Sequence, residues 1–177
     1  MFKYGYILLL PFLLGCDKSA EAPDYSNFNH IVKRGAFEIY LPKYLSPDKK
    51  INPKAKIAYA DSVNNTIFIL LKEEIPNTEK EDITIELENY YIFARQAIFN
   101  SLEDPKETDK ENVTINLEDA IVGKIEGKYG GEKIFYCLTV IRTEEYFYQL
   151  IGWTLYKLKD TNGKDLCDAA LSFVELN

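Results

Sequence analysis

The residues of this chain that could do covalent chemistry are few and scattered. Serine or cysteine nucleophiles need an imidazole beside them, and the only histidine, His30, lies in a polar stretch near the start, where a solvent-exposed ring without a role is expected. Structural zinc needs clustered His and Cys, but there is no C-x-x-C and no second His. Loops that cradle phosphate place glycines ahead of a helix, whereas Gly123, Gly127, Gly130 and Gly131 read as lying between strands. Carboxylates are plentiful instead, at Glu73-Glu74, Glu79 to Asp82, Glu103-Asp104 and Glu144-Glu145. A pair of them could serve acid–base hydrolysis, and a larger set could bind calcium. No Asp-x-Asp-x-Asp run with its glycine occurs, and most of these residues flank turns, so a solvated face is expected. No catalytic residue, cofactor or metal ligand is assigned, and the chain is read as a non-enzyme. A carboxylate-based or calcium-dependent hydrolase is the alternative.

Binding chemistry is better represented. Among 13 tyrosines, Tyr136, Tyr146 and Tyr148 fall close to Trp153 and could line a pocket for an apolar or sugar ligand. The same side chains would equally serve to cover a central hairpin beneath helices. Net charge is −7 with no basic cluster, which argues against nucleic acid, where Lys and Arg supply most of the affinity. It also argues against a polybasic membrane patch, and simple solubility accounts for the acidity.

The first residues carry an address. Lys3 is followed by the apolar run Tyr6–Leu14, interrupted by Pro11. That length suits a secretory signal, whereas a bilayer span needs roughly 20 apolar residues. The run closes on Leu13-Leu14-Gly15-Cys16, which resembles the lipobox of bacterial lipoproteins. The resemblance implies cleavage after residue 15 and a diacylglyceryl thioether on Cys16, placing the protein in the cell envelope, outside the cytoplasmic membrane. Leu14 departs from the smaller residue usual in that motif. Two or more acyl chains hold a protein stably where one does not. Residues 16–35 then read as the lipidated end and a flexible tether, with a reach of about 60 Å at ~3.3 Å per residue. Without residues 1–15 the charge becomes −8. Cys137 and Cys167 remain, in a compartment that permits disulfides. A bridge between them would stabilise by about 3.5 kcal/mol on the chain-entropy account, and two partly buried thiols are the other reading.

Residues 36–177 form one domain on length and pattern. Phe37, Ile39 and Leu41 alternate with polar neighbours until Pro42, and strands are expected at 56–60 and 66–71. Residue 66–71 is apolar on both sides, as in a strand covered on both faces. Leu87, Tyr91, Ala94, Ile98 and Leu102 trace one side of a helix of about twenty residues, capped by Asp82 or Thr84 and closed by Pro105. Glu103–Glu111 reads as a solvated loop, and 113–117 and 121–128 as strands. Lys133–Ile141 and Tyr146–Leu155 make a hairpin expected at the sheet centre. Asn162-Gly163 turns the chain into a last helix bearing Leu166, Ala169, Ala170, Phe173 and Val174.

Three stretches carry a family likeness. Phe37-Glu38-Ile39-Tyr40-Leu41-Pro42 resembles the opening strand of PsbP/Mog1-type domains, Tyr146–Thr154 resembles their late strand, and Ala170-Leu171-Ser172-Phe173 resembles their closing helix. The likeness implies an α+β fold, an antiparallel sheet with helices on both faces (an α/β/α sandwich), and a non-catalytic binding role toward an unknown protein or envelope partner. No functional residue is carried over, because fold does not fix function.

Overall fold

The computed structural model describes residues 23–75 and 86–176. Strands β1 (Phe28–Lys33), β2 (Phe37–Pro42), β3 (Ser46–Pro47), β4 (Ile57–Asp61) and β5 (Thr66–Glu74) come first. They are followed by helix α1 (Leu87–Phe99), the strands β6 (Glu103–Ile115), β7 (Glu118–Tyr129), β8 (Glu132–Arg142) and β9 (Tyr146–Leu155), helix α2 (Lys164–Leu171) and β10 (Val174–Glu175). A single 3-10 turn (Tyr156–Leu158) and a wider turn (Lys159–Gly163) lead into α2.

Seven strands form one antiparallel sheet in the order β3-β4-β5-β9-β8-β7-β6, so the β8–β9 hairpin lies at its centre. Helices α1 and α2 pack on opposite faces, giving the expected α+β sandwich. A second, three-stranded sheet, β1-β2-β10, shares the α2 face. Strict alternation sorts the side chains. In β7, Ile121, Gly123 and Ile125 turn toward α1, while Ala120, Val122, Lys124 and Glu126 face the α2 side.

Helix α1 forms where Tyr90, Tyr91, Ala94 and Ile98 recur at three- and four-residue steps and bury one stripe. It has 13 residues rather than twenty, and the expected caps Asp82 and Thr84 lie outside the described residues. Helix α2 buries Leu166, Ala169 and Ala170. Its last turn is tied to β2 by Ser172, whose hydroxyl donates to the Ala169 carbonyl (2.6 Å) and accepts from the Tyr40 amide (2.9 Å).

Several expectations are corrected. The 103–111 stretch is not a loop but the first part of β6, an edge strand whose register shifts on either side of Lys106 and Glu107. Its charges and Pro105 conceal it, because edge strands are blunted by such residues. The reading of 16–35 as tether overlaps β1, which pairs along its whole length with β2. His30 sits in that strand, stacked on Tyr40 (4.6 Å between ring centroids) with Nε2 3.1 Å from Glu38 Oε2. Gly123 and Gly127 lie inside β7, not between strands. In β5 one face is fully buried (Thr66, Phe68, Leu70), but Ile67, Ile69 and Leu71 are only half-buried.

Cys137 and Cys167 form a disulfide with Cα atoms 5.7 Å apart, joining β8 to α2. Cys137 pairs across the strands with Gly152. A Cβ at Gly152 would stand 2.6 Å from Leu166 Cβ, so the helix rests on bare backbone there. Gly152→Ala is expected to cost about 2 kcal/mol by overpacking, although alanine in a strand normally gains over glycine. Urea unfolding of the oxidised protein checks this, and an unchanged or raised midpoint would show that α2 does not depend on the close approach.

Candidate functional site

A cleft of about 530 Å³ opens on the α2 face, within the size range of small-molecule sites. It arises because β6 and β7 extend past the flank of α2. Val113, Val122, Phe135, Leu171 and the disulfide-bonded Cys167 provide the apolar lining. Lysines enter from three elements: Lys124 from β7, Lys159 from the wide turn and Lys164 from α2. Each has an acidic partner: Lys124 with Asp109 (2.8 Å), Lys159 with Glu126 (3.9 Å) and Lys164 with Asp168 (2.5 Å). The rim therefore mixes these lysines with acids, Glu111 and Asp160 among them, over an apolar floor.

At one end of the cleft, Glu126 also takes Lys133 at 2.9 Å. The Lys133 ammonium stands 3.3 Å from the centre of the Tyr156 ring, and Lys159 Nζ donates to the Tyr156 hydroxyl at 3.1 Å. Those donations from Lys159 and then Lys133 lower the phenol below its ordinary value. Asp165, in the first turn of α2, is moved the other way: burial raises its carboxyl, the adjacent Asp168 adds to the rise, and Lys164 opposes it.

The arrangement can hold a ligand with an apolar body and polar ends. The lining holds no imidazole, and its one cysteine is oxidised. Among the described residues no three His, Cys, Asp or Glu side chains converge as a metal would require. The acidic stretch Glu79 to Asp82 lies outside the described residues, as does Cys16.

The four aromatics singled out in the sequence do not share one site. Tyr136 and Trp153 are cross-strand partners, ring centroids 6.2 Å apart, on the α1 face. Tyr146 and Tyr148 point to the other face, where Tyr148 is buried against Phe173 and Lys72 lies 3.3 Å over the Tyr146 ring. None of the four lines the cleft. The residues that do, Lys124, Glu126, Lys159 and Asp168, escaped sequence reasoning. Their one local signal is the period-two spacing Val122-Lys124-Glu126, which puts an apolar and two charged residues on one face of β7.

Three tyrosines, Tyr148 among them, knit the layers together. Tyr90 donates to Glu73 at 2.7 Å, Tyr91 to Glu107, and Tyr148 to Glu175. Gly123 leaves room for the Tyr91 hydroxyl, which a Cβ there would overlap. Glu107 also takes Arg95 at 2.9 Å. Burial first, and then the accepting carboxylate, raises all three phenols well above their ordinary value.

No family model matches the chain, and no curated protein does. Solved structures do. They include the cyanobacterial PsbP (CyanoP) of Synechocystis, 12% identical, covering 92% of this chain and 98% of that one, with a TM-score of 0.61. The Ran-binding protein Mog1p of Saccharomyces cerevisiae is 11% identical, covers 85% and 97%, and gives 0.57. LpqN of Mycobacterium tuberculosis, involved in cell envelope biogenesis, is 13% identical, covers 85% and 91%, and gives 0.60. The domain has the PsbP/Mog1-like fold.

The raised phenols set an alkaline limit. Above pH ~10 the unfolded chain releases tyrosine protons that the folded chain retains, so stability falls as pH rises from there. Urea midpoints are expected to stay level to about pH 9 and then drop with a slope of ~1.4 kcal/mol per pH unit for each retained phenol. Tyr91→Phe should flatten the drop. A wild-type midpoint unmoved to pH 11 would contradict the buried-phenol assignment.

Proposed function

We propose that this chain is a lipid-anchored accessory protein of the bacterial cell envelope that binds a partner without catalysing a reaction, and that the cleft beside α2 is its binding site. The observation that carries this reading is the cleft itself: apolar floor, acid–base couples around the rim, and no nucleophile with a base at hand. The lipobox-like Leu13-Leu14-Gly15-Cys16 supports the anchor, with Cys16 as its attachment point. An envelope-biogenesis protein of the same fold supports the location. Among the described residues no helix is long and apolar enough to cross a membrane, which leaves β-strand spans unaddressed. The bound component is an envelope protein or molecule with an apolar part for Val113 and Val122 and polar groups for the surrounding couples.

Two measurements test the two halves separately. The mass of the mature protein from bacterial membranes is expected to correspond to a chain beginning at a diacylated Cys16, and Cys16→Ser should leave the protein unprocessed. A mature form starting elsewhere overturns the anchor. For the cleft, material co-purified from native membranes should fall about tenfold in Leu171→Glu, the size of one hot-spot contact. Leu171 is 37% exposed, so the fold should survive. Undiminished recovery moves the binding site elsewhere, and a turnover abolished by one carboxylate substitution in a folded protein overturns the non-enzymatic reading.

A further inference from the structure

Charge is not spread evenly along the chain. Between residues 33 and 56 there are seven basic residues and two acidic ones, a local excess of +5 in a chain whose net charge is −7. Chain-wide acidity hides this excess, because no more than two of the cations are adjacent. Lys33 and Arg34 stand at the β1–β2 turn, and Lys43 follows β2 directly. Lys49, Lys50, Lys54 and Lys56 belong to the connection between β3 and β4. All seven are exposed.

What sets them apart is the lack of partners. Among the described residues none of the seven lies within 4.0 Å of a carboxylate, whereas every other Lys and Arg except Lys106 and Lys157 does. The two acids of the segment are engaged elsewhere: Glu38 faces His30 at 3.1 Å, and Asp48 accepts from the Lys50 amide at 3.0 Å. The fold also gathers the cations. Ala36 and Phe37, beside the β1–β2 turn, wall a pocket of about 260 Å³ together with Lys56 and Lys72, so the turn and the β3–β4 connection meet. Glu74 on the same pocket is a single opposing charge.

We propose that this segment is a docking surface for the anionic phospholipid of the membrane that holds the chain. It rests on the lipid anchor put forward above and adds what an anchor alone lacks, an orientation. Three observations favour lipid over an acidic protein. The cations are carried on a turn and a loop at the surface, and six of the seven are lysines, whose flexible point charges suit mobile headgroups better than the bidentate contacts of arginine. The surface is also continuous with the root of the tether: Lys43 Nζ donates to the Ser26 carbonyl at 2.9 Å, and the Tyr25 hydroxyl donates to the Asp168 carbonyl at 3.1 Å.

Lengths agree as well. From Cys16 to Tyr25 the chain can reach at most about 30 Å, and β1 runs about 20 Å from that root to the turn. The turn can therefore touch the surface in which Cys16 is held. The acids of the rest of the domain do not prevent this, because charges beyond a Debye length of about 8 Å are largely screened.

The test uses the full lipidated chain with p-benzoylphenylalanine in place of Val32, which is 47% exposed beside Lys33, in vesicles of phosphatidylcholine with or without phosphatidylglycerol. Flotation with the neutral vesicles reports the anchor, and irradiation reports the docking. Cross-links from position 32 to lipid are expected in the anionic vesicles at low salt. They should fall severalfold in neutral vesicles, or at 1 M salt, where the Debye length is about 3 Å. The same label in place of Phe93, on α1, should show no such dependence. Lys49→Gln combined with Lys50→Gln is expected to lower the docked-to-free ratio about 25-fold, at about fivefold per cation. Lys106→Gln combined with Lys157→Gln should leave it unchanged, and neither pair should move the urea midpoint, since all four side chains are exposed. A chain that does not float with neutral vesicles fails the anchor, and its salt-sensitive capture by the anionic ones would still establish the patch. Cross-linking that ignores phosphatidylglycerol, none at position 32, or an unchanged ratio in the Lys49/Lys50 variant overturns the proposal.

Discussion

How closely α2 can approach the two central strands governs the whole of one face. Gly152 and Cys137 sit opposite each other in β9 and β8, one without a side chain and one bonded to the helix. Leu166 lies over the first and Cys167 is joined to the second, so neighbouring helical residues are held by complementary means. At the start of the helix, Gly163 similarly leaves space for the Phe135 ring, which a Cβ would meet at 2.9 Å. With α2 fixed, Ser172 positions β2, and the side chain of Asn116 donates to the Phe173 carbonyl, drawing in the β6–β7 turn at 2.5 Å. The small sheet and the cleft are both consequences of where this helix lies.

Much of that architecture was readable from the residues. The alternation in β2 followed from period two, the hairpin of β8 and β9 from two β-branched and aromatic runs around a polar loop, and the stripe of α1 from period 3.6. What escaped had physical reasons. Seven of the thirteen residues of β6 are charged and one is proline, a composition that an outer strand tolerates and an inner one does not. Strand β1 has little local signal because its order comes from pairing with β2 and from contacts with Tyr40, made by both Tyr25 and His30. Asn162-Gly163 was legible as a turn, but nothing local announces that the turn is wide and continues directly into α2.

The site was less legible than the fold. Parity alone separates Tyr146 and Tyr148 from Trp153 along β9, so their assignment to one pocket fails on strand geometry. Tyr136 does join Trp153, but through the register of a hairpin rather than through sequence spacing. The cleft depends on the overhang of β6 and β7 beyond α2, a product of strand length and helix placement. Its charged residues run from Glu111 to Asp168 and come from four elements. A rim that mixes both signs leaves no charge run to be noticed.

The distribution of charge follows from the same division between faces and ends. At the end of the sheet where β7 begins, Glu118 is raised above the usual carboxylate range, by burial first and then by Glu175, Asp119 and Glu144. Mutual repulsion there opposes folding slightly, although Glu175 itself accepts from Tyr148 and pairs with Lys72. It does act outside the chain: acids at strand ends and along β6 discourage end-to-end and edge-to-edge association. In the cleft, by contrast, Lys124, Lys159 and Lys164 stand among Glu111, Glu126, Asp160 and Asp168, so both signs meet over an apolar floor where the strand ends accumulate one.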